Sequence, residues 1–144
     1  MSEIVLLVGL PGCGKTTLLC EMCRDGWLVF DDFKAAAFDN SPRFSNSRKF
    51  RTLMSAIHDG LRCAVADIDF CKEHSRAEAE SAVRAAAPHG ATLDWRYFEN
   101  DPLACEANIR SRQRPSIQTD LEKLREYTAL YRIPQGAVVL PIRR

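Results

Sequence analysis

Long hydrophobic runs are missing from this sequence. The first apolar run, Ile4 to Val8, is far shorter than the roughly 20 residues a membrane span needs. It is also too short for a signal-peptide core and lacks a basic flank. The expectation is a soluble, untargeted, cytoplasmic chain. An excess of charge of one sign is missing too. Lys and Arg number 20, Asp and Glu 19, and the net charge is +1. That excludes a protein held on nucleic acid by bulk charge and leaves only a local patch. Internal repeats and low-complexity tracts are absent, and 144 residues leave no room for a second domain. The expected organisation is one domain over residues 1–144.

Metal and disulfide chemistry are poorly furnished. There are six cysteines but no export signal, and 46% apolar residues suffice for a core without staples. Reduced thiols acting as small hydrophobes are expected. Cys20 and Cys23 have zinc-like spacing, but no second C-x-x-C follows, and His58, His74 and His89 are isolated. A closed four-ligand site is therefore unsupported. The pair also falls within a helical segment, which argues against a thioredoxin-like role.

What is present alternates. Ile4–Val8 reads as a buried strand entering a tight loop, followed by a helix from Lys15 to Arg24 that Gly26 ends. Trp27 to Phe30 is a second strand closed by Asp31 and Asp32. Residues 34–45 read as a loop. Phe50, Leu53, Met54, Ile57 and Leu61 lie at helix spacing, which predicts a helix from about Ser47 to Leu61. Cys63 to Ala66 is a third strand, ending at Asp67 and Asp69. A capping box at Ser75 and Glu78 opens the next helix, which Pro88-His-Gly90 stops. Thr92 to Phe98 is the fourth strand. Asp101 caps a helix with Pro102 at its first position, running to about Arg112. A second capping box, Thr119 and Glu122, opens a helix ending before Pro134. Ala137 to Leu140 is the fifth strand. Buried-type strands alternating with helices predict an α/β fold: a three-layer, five-stranded parallel sheet with helices on both faces. The stretch Arg43 to Arg51 carries four basic residues around Phe44 and Phe50. It reads as a solvated helix face or as an anion patch facing a substrate.

Gly9-Leu-Pro-Gly-Cys-Gly14-Lys15-Thr16 matches G-x-x-x-x-G-K-[ST] completely. Glycines let the backbone curl so that its N–H groups surround a phosphate. Lys15 supplies a point charge to the β- and γ-phosphates, and the Thr16 hydroxyl can hold Mg²⁺. The helix N-terminus adds its dipole. Gly9, Pro11, Gly12, Cys13, Gly14, Lys15, Thr16 and Thr17 are thus the expected nucleotide-binding residues. Cys13, between Lys15 and a helix N-terminus, is the thiol whose modification is expected to block ATP.

Two classes of phosphate-loop protein are excluded. A GTPase would carry D-x-x-G after the third strand and N/T-K-x-D later. Here Asp67 is followed by Ile-Asp-Phe-Cys, and no N/T-K-x-D exists. A motor, transporter or unfoldase would need more chain. A small kinase type remains, with ATP as the default nucleotide because no base-reading motif is visible.

At this point a family resemblance enters. Gly9–Thr16, Asp31 and Asp32, Ala66-Asp67-Ile-Asp69-Phe, Tyr97-Phe-Glu-Asn-Asp-Pro102, Asn108 and the arginines at 110, 112 and 114 resemble, in order, the phosphate-loop kinases related to polynucleotide kinase and zeta toxin. The resemblance spans nearly the whole chain, although only the phosphate loop is specific. It implies strand order 2-3-1-4-5, an acid at the end of strand two that contacts the acceptor hydroxyl, and lid arginines between helices four and five. Asp32, or else Asp31, matches the acid. Arg112 and Arg114 match the lid, which is short, about residues 110–118. The third strand departs from the family pattern, with Asp67-Ile-Asp69 where small polar residues would follow the acid.

The physical roles stand beside that resemblance. Parallel strands deliver their C-terminal ends to one edge, where the loop and these acids can converge. Lys15, Asp32, Arg112 and Arg114 are the expected catalytic set. Thr16 and Asp67 are the expected Mg²⁺ residues. Asp32 is preferred over Asp31 because it lies further past the apolar run, and successive strand residues point to opposite sides. Arg110 can instead pair with Glu106, one turn earlier. Two functions fit. One is an ATP-dependent transfer of phosphate to a hydroxyl on a small molecule or a nucleic-acid 5′ end. The other is a nucleotide-binding or slowly hydrolysing module acting through a partner, which the short lid favours.

Overall fold

Five parallel strands form one sheet in the order β2-β3-β1-β4-β5. In this computed structural model the described residues are 2–31 and 48–143, with the backbone alone at Arg48. The strands are β1 (Glu3–Val8), β2 (Leu28–Phe30), β3 (Arg62–Ala66), β4 (Thr92–Phe98) and β5 (Val138–Leu140). The helices are α1 (Lys15–Arg24), α2 (Arg48–His58), α3 (Glu73–Ala86), α4 (Pro102–Ser111) and α5 (Ile117–Thr128). The α/β class and the strand order agree with the sequence-based expectation.

β1 sits at the centre, paired with β3 on one side and β4 on the other. Its apolar run is there for that reason: Ile4, Val5, Leu6, Leu7 and Val8 are all buried. Each such side chain taken out of water is worth about 1.5–3 kcal/mol. The strand that feeds the phosphate loop is therefore the best-anchored element of the fold. The first crossover runs from β1 outward to β2, and the later ones run back across the sheet. With right-handed crossovers, that reversal puts α1 on one face and the later helices on the other. Tyr131, just after α5, is fully buried, and its hydroxyl donates to the carbonyl of Phe98 at the end of β4.

Both capping-box readings are corrected. α3 begins at Glu73 with Lys72 at its N-cap, two residues before Ser75. A 3₁₀ turn over Ile68–Cys71 runs almost directly into the helix, so the chain is already coiling when it reaches Ser75. The Ser75 side chain is buried, and its hydroxyl has no hydrogen-bond partner among the described residues. α5 begins at Ile117, with Ser116 at the N-cap position in place of Thr119. A turn closed by Ile117 N–H on the Arg114 carbonyl (3.2 Å) starts it early, straight after Pro115. Asp101 does cap α4, accepting from the Ala104 N–H at 3.1 Å. α2 ends at His58, three residues short of Leu61, where the chain turns through Gly60.

Candidate functional site

The loop between β1 and α1 curls as its glycines allow. Gly12 and Gly14 have φ of 84° and 102°, a region that side chains rarely enter. Gly14 is the N-cap of α1, so the first amides of that helix open onto the loop. Lys15 folds over it. Its ammonium donates to the carbonyls of Gly9 (2.6 Å) and Leu10 (3.1 Å), with the Cys13 sulfur at 3.6 Å. Gly9 is confined from both sides: a Cβ there would lie 2.4 Å from the Cys13 sulfur and 3.1 Å from Phe98.

A cleft of about 180 Å³ opens over the loop. Pro11, Gly12, Gly14, Lys15 and Thr16 form its floor, and Asp31 stands at one side. Arg112 and Arg114 reach it from the segment between α4 and α5. The Thr16 hydroxyl donates to Asp31 Oδ2 at 2.8 Å, which joins the phosphate loop to the end of β2. The Lys49 ammonium, in the first turn of α2, donates to the Asp31 carbonyl at 3.0 Å and secures that strand end. The cleft therefore combines helix-end amides, an ammonium, a hydroxyl–carboxylate pair and two guanidinium groups.

Not every expected residue lies on the cleft. Gly9 and Cys13 support it from below, and Thr17 is half-buried one position past the floor. Asp67 is also off the cleft wall. It is buried, and its Oδ1 accepts the Asp69 N–H at 2.8 Å, capping the 3₁₀ turn after β3. Asp69 accepts the Tyr127 hydroxyl at 2.9 Å; burial, with this bond second, pushes the Tyr127 pKa upward. Asp32 lies outside the described residues, as do Arg43 and Phe44. Arg110 pairs with Glu106 at 3.5 Å and does not line the cleft.

The reactive-thiol expectation is corrected. Cys13 is fully buried, because the same curl that points amides at the cleft turns its side chain under the loop. Burial raises the thiols of Cys71 and Cys105 to about 12. Cys20 and Cys23, on α1, are the exposed ones, and all six cysteines are free. No group of three or more His, Cys, Asp or Glu side chains suited to a metal occurs among the described residues.

Sequence reasoning missed Asp120 and Lys123, which join the cleft wall from α5. Their i, i+3 spacing puts them on one helix face, but surface charges with that spacing are common and carry no address. Asp31 reaches the loop through Thr16, while Asp32, the preferred acid, lies outside the described residues.

The sequence matches no protein-family model and no curated protein. Solved structures do resemble it. A sugar kinase from Janibacter sp. superposes with a TM-score of 0.64 at 17% identity, over 100% of this chain and 87% of that one. A fungal RNA kinase gives 0.62 at 12% identity, over 99% and 76%. The APS kinase of Mycobacterium tuberculosis, solved in complex with AMPPNP and APS, gives 0.60 at 15% identity, over 99% and 90%. At such identities the likeness is one of fold: this chain shares the α/β architecture of these kinases.

Proposed function

We propose that the chain is an ATP-dependent phosphotransferase that moves the γ-phosphate to a hydroxyl acceptor. One observation carries the reading: a single cleft holds Lys15, the Thr16–Asp31 pair and both lid arginines. The kinase fold of its structural neighbours agrees with it. The amides at the start of α1 and the Lys15 ammonium would take the phosphates. The residues present also fit Mg²⁺. Thr16 and Asp31 offer hard oxygens beside the phosphate loop, and Mg²⁺ prefers such oxygens with several waters retained. Bound there, it would neutralise charge on the phosphate oxygens. Asp67, the other expected Mg²⁺ residue, is buried at the end of β3, next to Ile68, which lines the cleft.

Among the described residues, Asp31 is the carboxylate best placed to orient an acceptor hydroxyl and take its proton. In the transfer, the acceptor oxygen forms a bond to the γ-phosphorus while the bond from that phosphorus to the bridging oxygen breaks. ADP leaves. Negative charge spreads over the equatorial oxygens, and Arg112 and Arg114 can stabilise it there. Both are exposed, so they can approach with the substrate.

The experiment is incubation with γ-labelled ATP and a panel of 5′-hydroxyl oligonucleotides, nucleosides and sugars, with a water-only control. Label on one acceptor class supports the reading. Release of labelled phosphate in water, with no acceptor ever labelled, replaces it with a nucleotide-hydrolysing module acting through a partner.

A further inference from the structure

The phosphate loop is held from behind by residues that line no part of the cleft. The side-chain amide of Asn108, on α4, donates to the Gly12 carbonyl and to the Arg143 carbonyl, each at 2.8 Å. Both of its N–H donors are thereby used, and only an –NH₂ fits between two carbonyl oxygens. The Arg143 N–H donates to the Cys13 carbonyl at 2.9 Å. The Arg143 guanidinium grips Glu21 on α1, at 2.6 Å to Oε2 and 3.3 Å to Oε1. The segment after β5 thus crosses the back of the loop and is fastened to α4, to α1 and to the loop itself.

Peptide geometry gives this fastening a direction. In a trans peptide, C=O and N–H point to opposite sides. Holding the Cys13 carbonyl on Arg143 turns the Gly14 N–H away from Arg143. Holding the Gly12 carbonyl on Asn108 likewise fixes the Gly12–Cys13 peptide, whose N–H closes the turn on the Leu10 carbonyl at 3.1 Å. The fit is close. A Cβ on Gly14 would lie 2.5 Å from Arg143 Cβ and 2.9 Å from its carbonyl oxygen. This gives Gly14 a second reason to be glycine, besides its φ.

We infer that Asn108 and Arg143 are positioning residues that hold the phosphate loop in its anion-binding shape, with Glu21 securing Arg143, and that they set nucleotide affinity without touching the nucleotide. The inference rests on the reading of the loop as a nucleotide site. It adds that the site is completed by a segment far along the chain.

Amide hydrogen exchange without nucleotide reads the clamp directly, and calorimetry with AMPPNP and Mg²⁺ reads its consequence. Two lost hydrogen bonds of ordinary strength imply that Asn108→Ala exchanges about ten- to thirtyfold faster over residues 9–17, with β3 and α3 unchanged. AMPPNP affinity falls by a similar factor. Glu21→Gln, at a half-buried position, keeps the fold and gives the same changes at about two- to threefold. Unchanged exchange over 9–17 in both Asn108→Ala and Glu21→Gln overturns the inference. So does acceleration spread equally over β3, which marks a general loss of stability. If the wild-type protein binds no AMPPNP, the nucleotide reading fails, and the exchange data still decide whether the clamp exists.

Discussion

The two sides of the cleft are built in opposite ways. The phosphate loop grows from the most deeply buried strand, and Asn108, Arg143 and the Cys71 thiol grip its carbonyls from behind. Among the described residues, no such support holds the segment between α4 and α5. Arg112, Gln113 and Arg114 are all exposed, and Gln113 takes a φ of 51°, a left-handed turn by a residue that rarely makes one. A loop that binds phosphate in the ground state gains from being rigid beforehand, since no reorganisation is then needed. Arginines that act on charge present only during transfer gain from approaching late. The contrast in burial is what the proposed phosphate transfer would need from each side.

The sharpest test removes the carboxylate between the two sides. A positioned base contributes about 10²- to 10⁴-fold, so Asp31→Asn is expected to cut transfer within that range. Asp32→Asn should cost less than Asp31→Asn, since it is Asp31 that reaches Thr16. Initial-rate measurements on both variants decide, and a larger loss at Asp32 would return the acceptor role to that residue.

Next in size is the loop's own cation. Lys15→Ala removes charge-assisted bonds worth about 1.5–3 kcal/mol each, so AMPPNP affinity should fall about a hundredfold by calorimetry. The melting temperature should stay close to wild type, because Lys15 contacts loop carbonyls and not the core. Unchanged affinity would sink the phosphate-loop assignment.

The lid should respond differently. Replacing both Arg112 and Arg114 with Ala should lower turnover about ten- to a hundredfold while AMPPNP affinity changes by less than about threefold. Equal losses in turnover and affinity would mean that the lid binds the ground state, and the contrast with the loop would disappear.

The smallest effect concerns the thiols. Limited alkylation followed by mass spectrometry should label Cys20 and Cys23 first, without protection by nucleotide. Cys71 and Cys105 should stay unmodified from pH 7 to 9. With pKa values raised to about 12, their thiolate fraction at pH 9 is only about 10⁻³, and it shrinks tenfold with each unit of pH below that. Early labelling of Cys71 at pH 7 would show that the loop opens far more often than its anchoring implies.

Much of this protein was legible in sequence because the signals were local. A buried strand, a curled glycine loop, Lys15 and a following helix are contiguous, so the strand–loop–helix around Gly9–Thr16 is readable from the sequence by itself. Alternating strands and helices announce the parallel sheet, and Asp101-Pro102 announces a helix start, because each depends on neighbouring residues. The capping boxes at Ser75 and Thr119 misled for the same reason: the pattern is local, but the helices were started earlier by turns it does not include. What only the tertiary structure decided is what depends on direction and distance. Asp31 meets Thr16; Asp67 caps the turn that follows β3; Asp120 and Lys123 face the cleft; Asn108 and Arg143 fasten the loop from far along the chain. Sequence periodicity fixes which face of an element a residue occupies. Which partner that face meets depends on how the sheet and helices pack, and no spacing along the chain encodes it.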